Sequence, residues 1–306
     1  MPNPVCLTTG SSSGIGAAIA RRFAAGGYDV VVHYNSGRER AEELAEQIQR
    51  DSPAAALVLG ADLSRPEEPF RLVDAAVEHF GRLDVAISNS GVANYLRGAD
   101  GHLVRHRFQD CPVEHLDGEM RRVLDLNLMG AYRFGQRTLG HMIAAAQAEA
   151  AQGSPVRHRS LLFITSVSDV APESTRIPYG VSKAAVHHVV LGAAFEGGPH
   201  NITVNALRPG VVDTPLTARP SGLCDPDTGR EYTVAETYGL MALGGCQALP
   251  RIGEPAEIAD AAFAFARIPY MTGQLIAVDG GFTLVNGFAN RELFLQEGLR
   301  RARQAR

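Results

Sequence analysis

Cysteine is scarce and scattered. Cys6, Cys111, Cys224 and Cys246 lie far apart, with no C-x-x-C pair among them. That spacing speaks against a disulfide framework or a thiolate zinc site, and four reduced thiols are expected. Long apolar runs are missing too: none reaches the ~18–20 residues that span a bilayer. The opening Met-Pro-Asn-Pro-Val has no basic segment followed by an apolar one, so no secretory leader is expected and the cytoplasm is the expected compartment. Nor is there an excess of positive charge. Lys and Arg number 29 against 33 Asp and Glu, a net charge of −4. A nucleic-acid partner is therefore not expected, nor is a membrane partner or a metal. What is present is an ordinary globular composition, 45% apolar and 20% charged over 306 residues. A chain of this length buries roughly 75% of the surface its unfolded form exposes, and needs no staple.

Short aliphatic runs recur between longer helical stretches. Strands are expected over 4–8, 29–34, 56–60, 83–89, 160–166, 201–207 and 274–278. Val30-Val31-Val32 and Leu161-Leu162-Phe163-Ile164 are continuously apolar, the pattern of parallel strands covered on both faces. Helices are expected over 14–25, 38–50, 66–80, 113–125, 128–151, 179–196 and 255–267. Pro66 and Pro255 suit a first helical turn, where a missing N–H costs nothing. The alternation implies an α/β fold: one doubly wound, Rossmann-type domain with seven parallel strands and right-handed crossovers. It is expected over 1–287, followed by a charged tail over 288–306, docked or frayed. Two further segments break the alternation. The polar stretch 94–112 carries Arg97, His102, Arg105, His106 and Arg107, and reads as a solvated loop. The Gly- and Pro-punctuated stretch 209–250 has the length of a binding loop or lid.

The first strand runs into Thr9-Gly10-Ser11-Ser12-Ser13-Gly14-Ile15-Gly16, and a helix follows. Gly10, Gly14 and Gly16 let the backbone turn tightly and approach a ligand. The helix start offers free N–H groups and a positive dipole end to a pyrophosphate, which points to a dinucleotide. The spacing T-G-x-x-x-G-I-G resembles the short-chain dehydrogenase/reductase family. The resemblance runs from Val5 to about Phe282 through Asp62-Leu63, Asn89-Ser90-Gly91, Asn127, Ser166, Tyr179-x-x-x-Lys183, Pro209-Gly210 and Val278-Asp279-Gly280-Gly281. Within the family the chain looks most like 3-oxoacyl-carrier-protein reductases and related small-molecule ketoreductases.

Tyr179 and Lys183 are four residues apart at the start of an apolar helix, so they share a face. A free tyrosine, with a pKa near ~10, is a poor base at neutral pH; a neighbouring ammonium lowers that value. Such a pair suits general acid–base work on an alcohol or carbonyl. Ser166 closes a strand, and the carboxyl ends of such strands line the ligand crevice. Its hydroxyl can donate to a substrate oxygen. The resemblance implies that Tyr179 is the acid/base and that Lys183 tunes it and binds the nicotinamide ribose. It further implies that Ser166 orients the substrate and that Asn127 continues a proton relay. The cofactor contacts it implies are Ser12, Ser13 and Ile15 with the three glycines, then Asp62, Leu63, Asn89, Ser90, Gly91, Pro209, Gly210, Val212 and Thr214. Ser90 stands where the family more often has alanine.

Cofactor choice is read at the end of the second strand. An NAD-selective site places a carboxylate there for the ribose hydroxyls. Here stand Tyr34, Asn35 and Ser36, followed by Arg38. Asn35 and Ser36 can donate to a 2′-phosphate and Arg38 can add a charge-assisted contact, so NADP(H) is expected over NAD(H). Tyr95, Ser168, Leu216 and Tyr238 are expected to face the substrate, a 3-oxoacyl thioester (carrier- or CoA-linked) or a small ketone or polyol. Enoyl reductases of this family have a wider Tyr–Lys spacing. A catalytically silent cofactor-binding regulator is the alternative of another class, though it would not need all four catalytic side chains. Asp169 reads as a pocket residue or a cap, and His187-His188 as packing or a subunit contact. The helices over 128–151 and 179–196 are apolar on more than one face, and family members often pair them, so a homodimer or homotetramer is expected.

Overall fold

The computed structural model describes residues 2–93, 96–97, 103–104, 108–171, 176–285 and 290–304. Seven strands form the central sheet: β1 (Val5–Thr8), β2 (Asp29–Tyr34), β3 (Ala56–Gly60), β4 (Val85–Ser88), β5 (Arg159–Ile164), β6 (Ile202–Pro209) and β7 (Leu275–Val278). Their spatial order is β7-β6-β5-β4-β1-β2-β3, and every pairing is parallel. Cys6 stands beside Val30 on one side and Val85 on the other. The order therefore reverses at β1, and the carboxyl ends of β1 and β4 flank the crevice of a doubly wound sheet. β1, β4 and β5 are buried at every residue, which is why their sequences are apolar without alternation.

Helices cover both faces. α1 (Gly14–Ala25), α2 (Arg38–Asp51) and α8 (Pro255–Phe265) close one side over a core that includes Ile19, Phe23, Val32, Ile87 and Phe263. α3 (Glu68–Phe80), α5 (Ala131–Ala151) and α6 (Ile177–Gly197) close the other over Leu7, Val31, Phe134, Leu161 and Val190. Among the described residues no helix is long and apolar enough to cross a membrane.

Several boundaries differ from expectation, each for a local reason. The helix expected from Pro66 begins at Glu68, because residues 62–67 form a turn in which Arg65 N donates to Asp62 O. Pro69 occupies the first turn instead. The helices expected over 113–125 and 128–151 are continuous: α4 (Val113–Leu124) passes through a π-helical turn, Asp125–Gly130, into α5. The strand expected to run to Ser166 stops at Ile164, leaving Thr165 and Ser166 beyond the sheet.

The 209–250 excursion is built rather than irregular. Pro220–Cys224 pairs antiparallel with Glu231–Thr233, and α7 (Val234–Leu243) follows. Thr233 caps α7 reciprocally with Glu236: Thr233 Oγ1 accepts from Glu236 N at 3.1 Å, and Thr233 N donates to Glu236 Oε2 at 2.8 Å. The tail forms a helix, Arg291–Gln304, that packs on α7. A Cβ on Gly298 would lie 1.8 Å from Leu240 O, so the two backbones touch only because no side chain intervenes. A third core, including Val167, Tyr238, Met241 and Phe282 with Phe294 and Leu295, lies beneath this layer.

Candidate active site

β1 ends at Thr8 and the glycine loop leaves it. Gly10 and Gly14 have positive φ of 66° and 55°, the left-handed region where a side chain is strained. Gly16 serves packing: its Cβ would meet Gly10 O at 2.4 Å. The loop is held from below. Ser11 Oγ donates to Thr8 O and accepts from His33 N, both at 2.8 Å. Gly10 N donates to His33 Nδ1 at 2.8 Å, so Nε2 carries the hydrogen and donates to Ala61 O at 3.1 Å. Burial pushes the His33 pKa down to about 4, with only partial opposition from the Ala61 bond. Asn89 Nδ2 donates to Thr9 O at 2.9 Å, and Thr9 Oγ1 accepts from Asn89 N and Ser90 N. Ser13, the residue before α1, makes no side-chain cap. The first N–H groups of that helix therefore remain available to an anion.

This loop forms one end of a cavity of about 460 Å³. Gly10, Ser12, Ser13, Gly14 and Ile15 line it, as do Leu63, Asn89, Ser90 and Gly91. Pro209, Gly210, Val212 and Thr214 line the wall opposite the loop. At the end of β2 the lining residues are Asn35, Ser36, Gly37 and Arg40. Arg38 is not among them. Its side chain is 71% exposed and Nε donates to Glu42 at 2.7 Å. Tyr34 and Asp62 also lie off the cavity wall. The Tyr34 ring packs over Gly60, and the Asp62 carboxylate accepts from Ser64 Oγ at 2.6 Å, which holds its pKa below the usual range.

Ser166 stands just past β5. Its Oγ accepts from Ser168 N and donates to Ser168 Oγ, both at 3.2 Å. α6 begins at Ile177 with Pro178 in its first turn, which sets Tyr179 near the helix start and Lys183 one turn on. Lys183 is the only lysine of the chain. Its Nζ lies 5.7 Å from the centre of the Tyr179 ring and donates to Ile164 O at 3.0 Å. Burial lowers the Lys183 pKa to about 8, against an upward pull from Asp169. Asn127 sits in the π-helical turn, where such an extra residue re-aims a side chain. Its Oδ1 accepts from Val92 N at 2.8 Å, and its Nδ2 donates to Val92 O at 2.9 Å and Ser182 Oγ at 3.1 Å. Asn127 Oδ1 and Lys183 Nζ converge on Gly91: a Cβ there would lie 3.3 and 3.4 Å from them.

Ser166, Tyr179 and Lys183 line the same cavity as the glycine loop. Ser168, Leu216 and Tyr238 line it beyond them; Tyr95 lies outside the described residues. Arg40, His33 and Arg176 also line it and were not read from the sequence. A histidine ending the apolar run Val30-Val31-Val32 was the available signal for His33.

Comparisons with known proteins give the family. A family model described as enoyl-(acyl carrier protein) reductase matches residues 10–283. The 3beta-hydroxysteroid dehydrogenase 1 of Eggerthella lenta is 32% identical over 284 residues, covering 92% of this chain and 94% of that protein. Glucose 1-dehydrogenase 2 of Bacillus subtilis is 31% identical over 280 residues, covering 91% and 94%. The structure of a 3-ketoacyl-(acyl-carrier-protein) reductase from Brucella melitensis, complexed with NADH, superposes with a TM-score of 0.71 at 26% identity, covering 92% and 98%. An uncapped helix behind a glycine turn, a Ser–Tyr–Lys wall and relatives of this kind over nine-tenths of the sequence lead to one assignment: the chain belongs to the short-chain dehydrogenase/reductase family of oxidoreductases.

Proposed function

We propose that the protein interconverts a carbonyl and a secondary alcohol with NADP(H), using Tyr179 as general acid and base. The observation that carries this reading is the convergence of Ser166, Tyr179 and Lys183 on the cavity that the glycine loop opens. The uncapped first turn of α1 and the positive-φ glycines fit a dinucleotide pyrophosphate. When bound, the nicotinamide supplies or accepts the hydride. The chain does the rest. Ser166 Oγ donates to the substrate oxygen, where charge develops. Tyr179 delivers its phenolic proton to that oxygen in reduction and removes it in oxidation. The Lys183 ammonium favours the phenolate and so lowers the cost of that transfer. Asn127, bound to Val92 on both main-chain sides, holds the junction between the Gly91 loop and α6. The four-residue Tyr179–Lys183 spacing favours a carbonyl over an enoyl substrate.

Arg40, rather than Arg38, supports the NADP(H) preference. It lines the cavity beside Asn35 and Ser36, and no Asp or Glu stands among them. A guanidinium there suits a 2′-phosphate. The walls beyond Ser166 suit a small ketone, a polyol or an oxoacyl thioester. The test is nicotinamide absorbance at 340 nm with a ketone panel. Turnover is expected, and Tyr179→Phe is expected to lose about 10²–10⁴-fold while still binding cofactor. Near-normal turnover in that variant would refute the assignment of the proton to Tyr179.

A further inference from the structure

Behind the Ser–Tyr–Lys wall lies a buried carboxylate that the proposed chemistry does not use. Asp169 ends the short turn Val167–Asp169, three residues after Ser166, and its N–H donates to Ser166 O at 3.2 Å. Its side chain has no solvent access. The carboxylate is in contact with His187 Nε2, and its other oxygen lies 3.8 Å from a terminal nitrogen of Arg208. His187 is one turn beyond Lys183 on α6. Arg208 is the penultimate residue of β6, directly before Pro209 and Gly210 of the cavity wall. One carboxylate thus joins the three elements that carry Ser166, the Tyr179–Lys183 pair and the cofactor wall. The charged groups facing it are His187 and Lys183 from α6 and Arg208 from β6. Burial pushes the Asp169 carboxyl above its ordinary range, and these three neighbours pull it back. A buried charge is tolerated when it is paired in this way, and removing one partner leaves the others exposed to the full cost of burial.

We propose that Asp169 is a positioning residue for the Tyr179–Lys183 pair: through His187 and Arg208 it locks the Ser166 turn onto α6, and its buried negative charge keeps the ammonium of Lys183 charged at the foot of the cavity. Lys183 is the first beneficiary: among the described residues, Asp169 is the one carboxylate that raises its pKa. The consequence for turnover rests on the proton-transfer reading above. The charge coupling itself does not.

The chain's single lysine makes the test direct. Protein labelled with [ε-¹³C]lysine gives one side-chain resonance, and its pH titration reports Lys183 alone. The parent midpoint is expected at about 8. Asp169→Asn keeps the shape and removes the charge, so the midpoint is expected to fall by about one pH unit. Arg208→Gln leaves the carboxylate and removes a permanent cation from beside it, so the midpoint is expected to rise. Opposite displacements are what a charge role requires. An unchanged midpoint in the two variants, or displacement of both in one direction, overturns the proposal. Should Asp169→Asn fail to fold, the rise in Arg208→Gln decides alone. The alkaline limb of kcat/KM is expected to follow the lysine midpoint in each variant. A parent without turnover on any carbonyl would refute the proposed reaction, while the lysine titration would still decide this inference.

Discussion

Arg38 and Arg40 differ by two positions, and two positions turn a helix by roughly 200°. That rotation explains why the nearer arginine leaves the cavity and the farther one enters it. Arg38 pairs with Glu42 one turn along the exposed face, where water screens the contact. Arg40→Ala is therefore expected to lower the NADP(H)/NAD(H) ratio of kcat/KM by at least tenfold, about 1.4 kcal/mol in binding terms. Arg38→Ala is expected to leave it unchanged. The reverse pattern, or a parent that prefers NAD(H), would remove this account of cofactor choice. His33 makes a second prediction at the same scale. Its pKa is depressed from 6.5 to about 4, so the unfolded state binds its proton first. Stability from this group is complete above about 6.5 and is lost as pH falls through 4, a total on the order of 3 kcal/mol. Denaturant midpoints between these pH values are expected to fall more steeply in the parent than in His33→Gln. Parallel slopes would mean that the ring is not buried neutral under the glycine loop.

Among the elements, legibility followed burial of the pattern. The apolar runs of β1, β2 and β5 were readable because both sheet faces are covered, and Tyr179 and Lys183 because four residues make one helical turn. The α4–α5 junction was not readable: a π-helical turn at Asp125–Gly130 has no composition of its own, and its reason is the bond from Asn127 to Val92, 35 residues away. The C-terminal helix was readable as a charged tail, docked or frayed, but the surface it docks on was not. Its partner surface is a backbone one, Gly298 against Leu240 O and Gly244 against Phe294 O, which apolar counting misses. Arg301 donates to Leu243 O, and Arg303 pairs with Asp227 beside the hairpin at 2.8 Å. Helix α7, with Tyr238 on the cavity, is thus clamped from outside. Gly298→Ala puts a methyl group into that backbone contact and is expected to cost about 1–3 kcal/mol. Amide hydrogen exchange over residues 234–243 is expected to accelerate, with KM for substrate rising more than kcat falls. Unaltered exchange would show that the tail helix does not restrain α7.

At the scale of the whole molecule, α5 and α6 each bury one side on the sheet and leave apolar groups on the other. Tyr132 of α5 and Val181, Leu191 and Phe195 of α6 are exposed, Phe195 at 87%, and Met129 of the π-helical turn is exposed beside them. Isolated exposed apolar residues need no explanation, but a stretch on two adjacent helices marks a contact surface. A stable interface requires roughly 1,200–2,000 Å² in total, which two paired helices from each of two copies can supply. Such pairing would set the back of the Tyr179–Lys183 helix against its symmetry mate and hold α6 from the side away from the cavity. We therefore expect a homodimer, or a homotetramer built from it. Light scattering at micromolar protein is expected to give at least twice the 32.7 kDa chain mass. Phe195→Glu places a charge on the most exposed residue of the stretch and is expected to shift the distribution toward the monomer, with the fold intact by circular dichroism. A strictly monomeric parent would refute the assembly, and an assembly indifferent to Phe195→Glu would move the interface to another face.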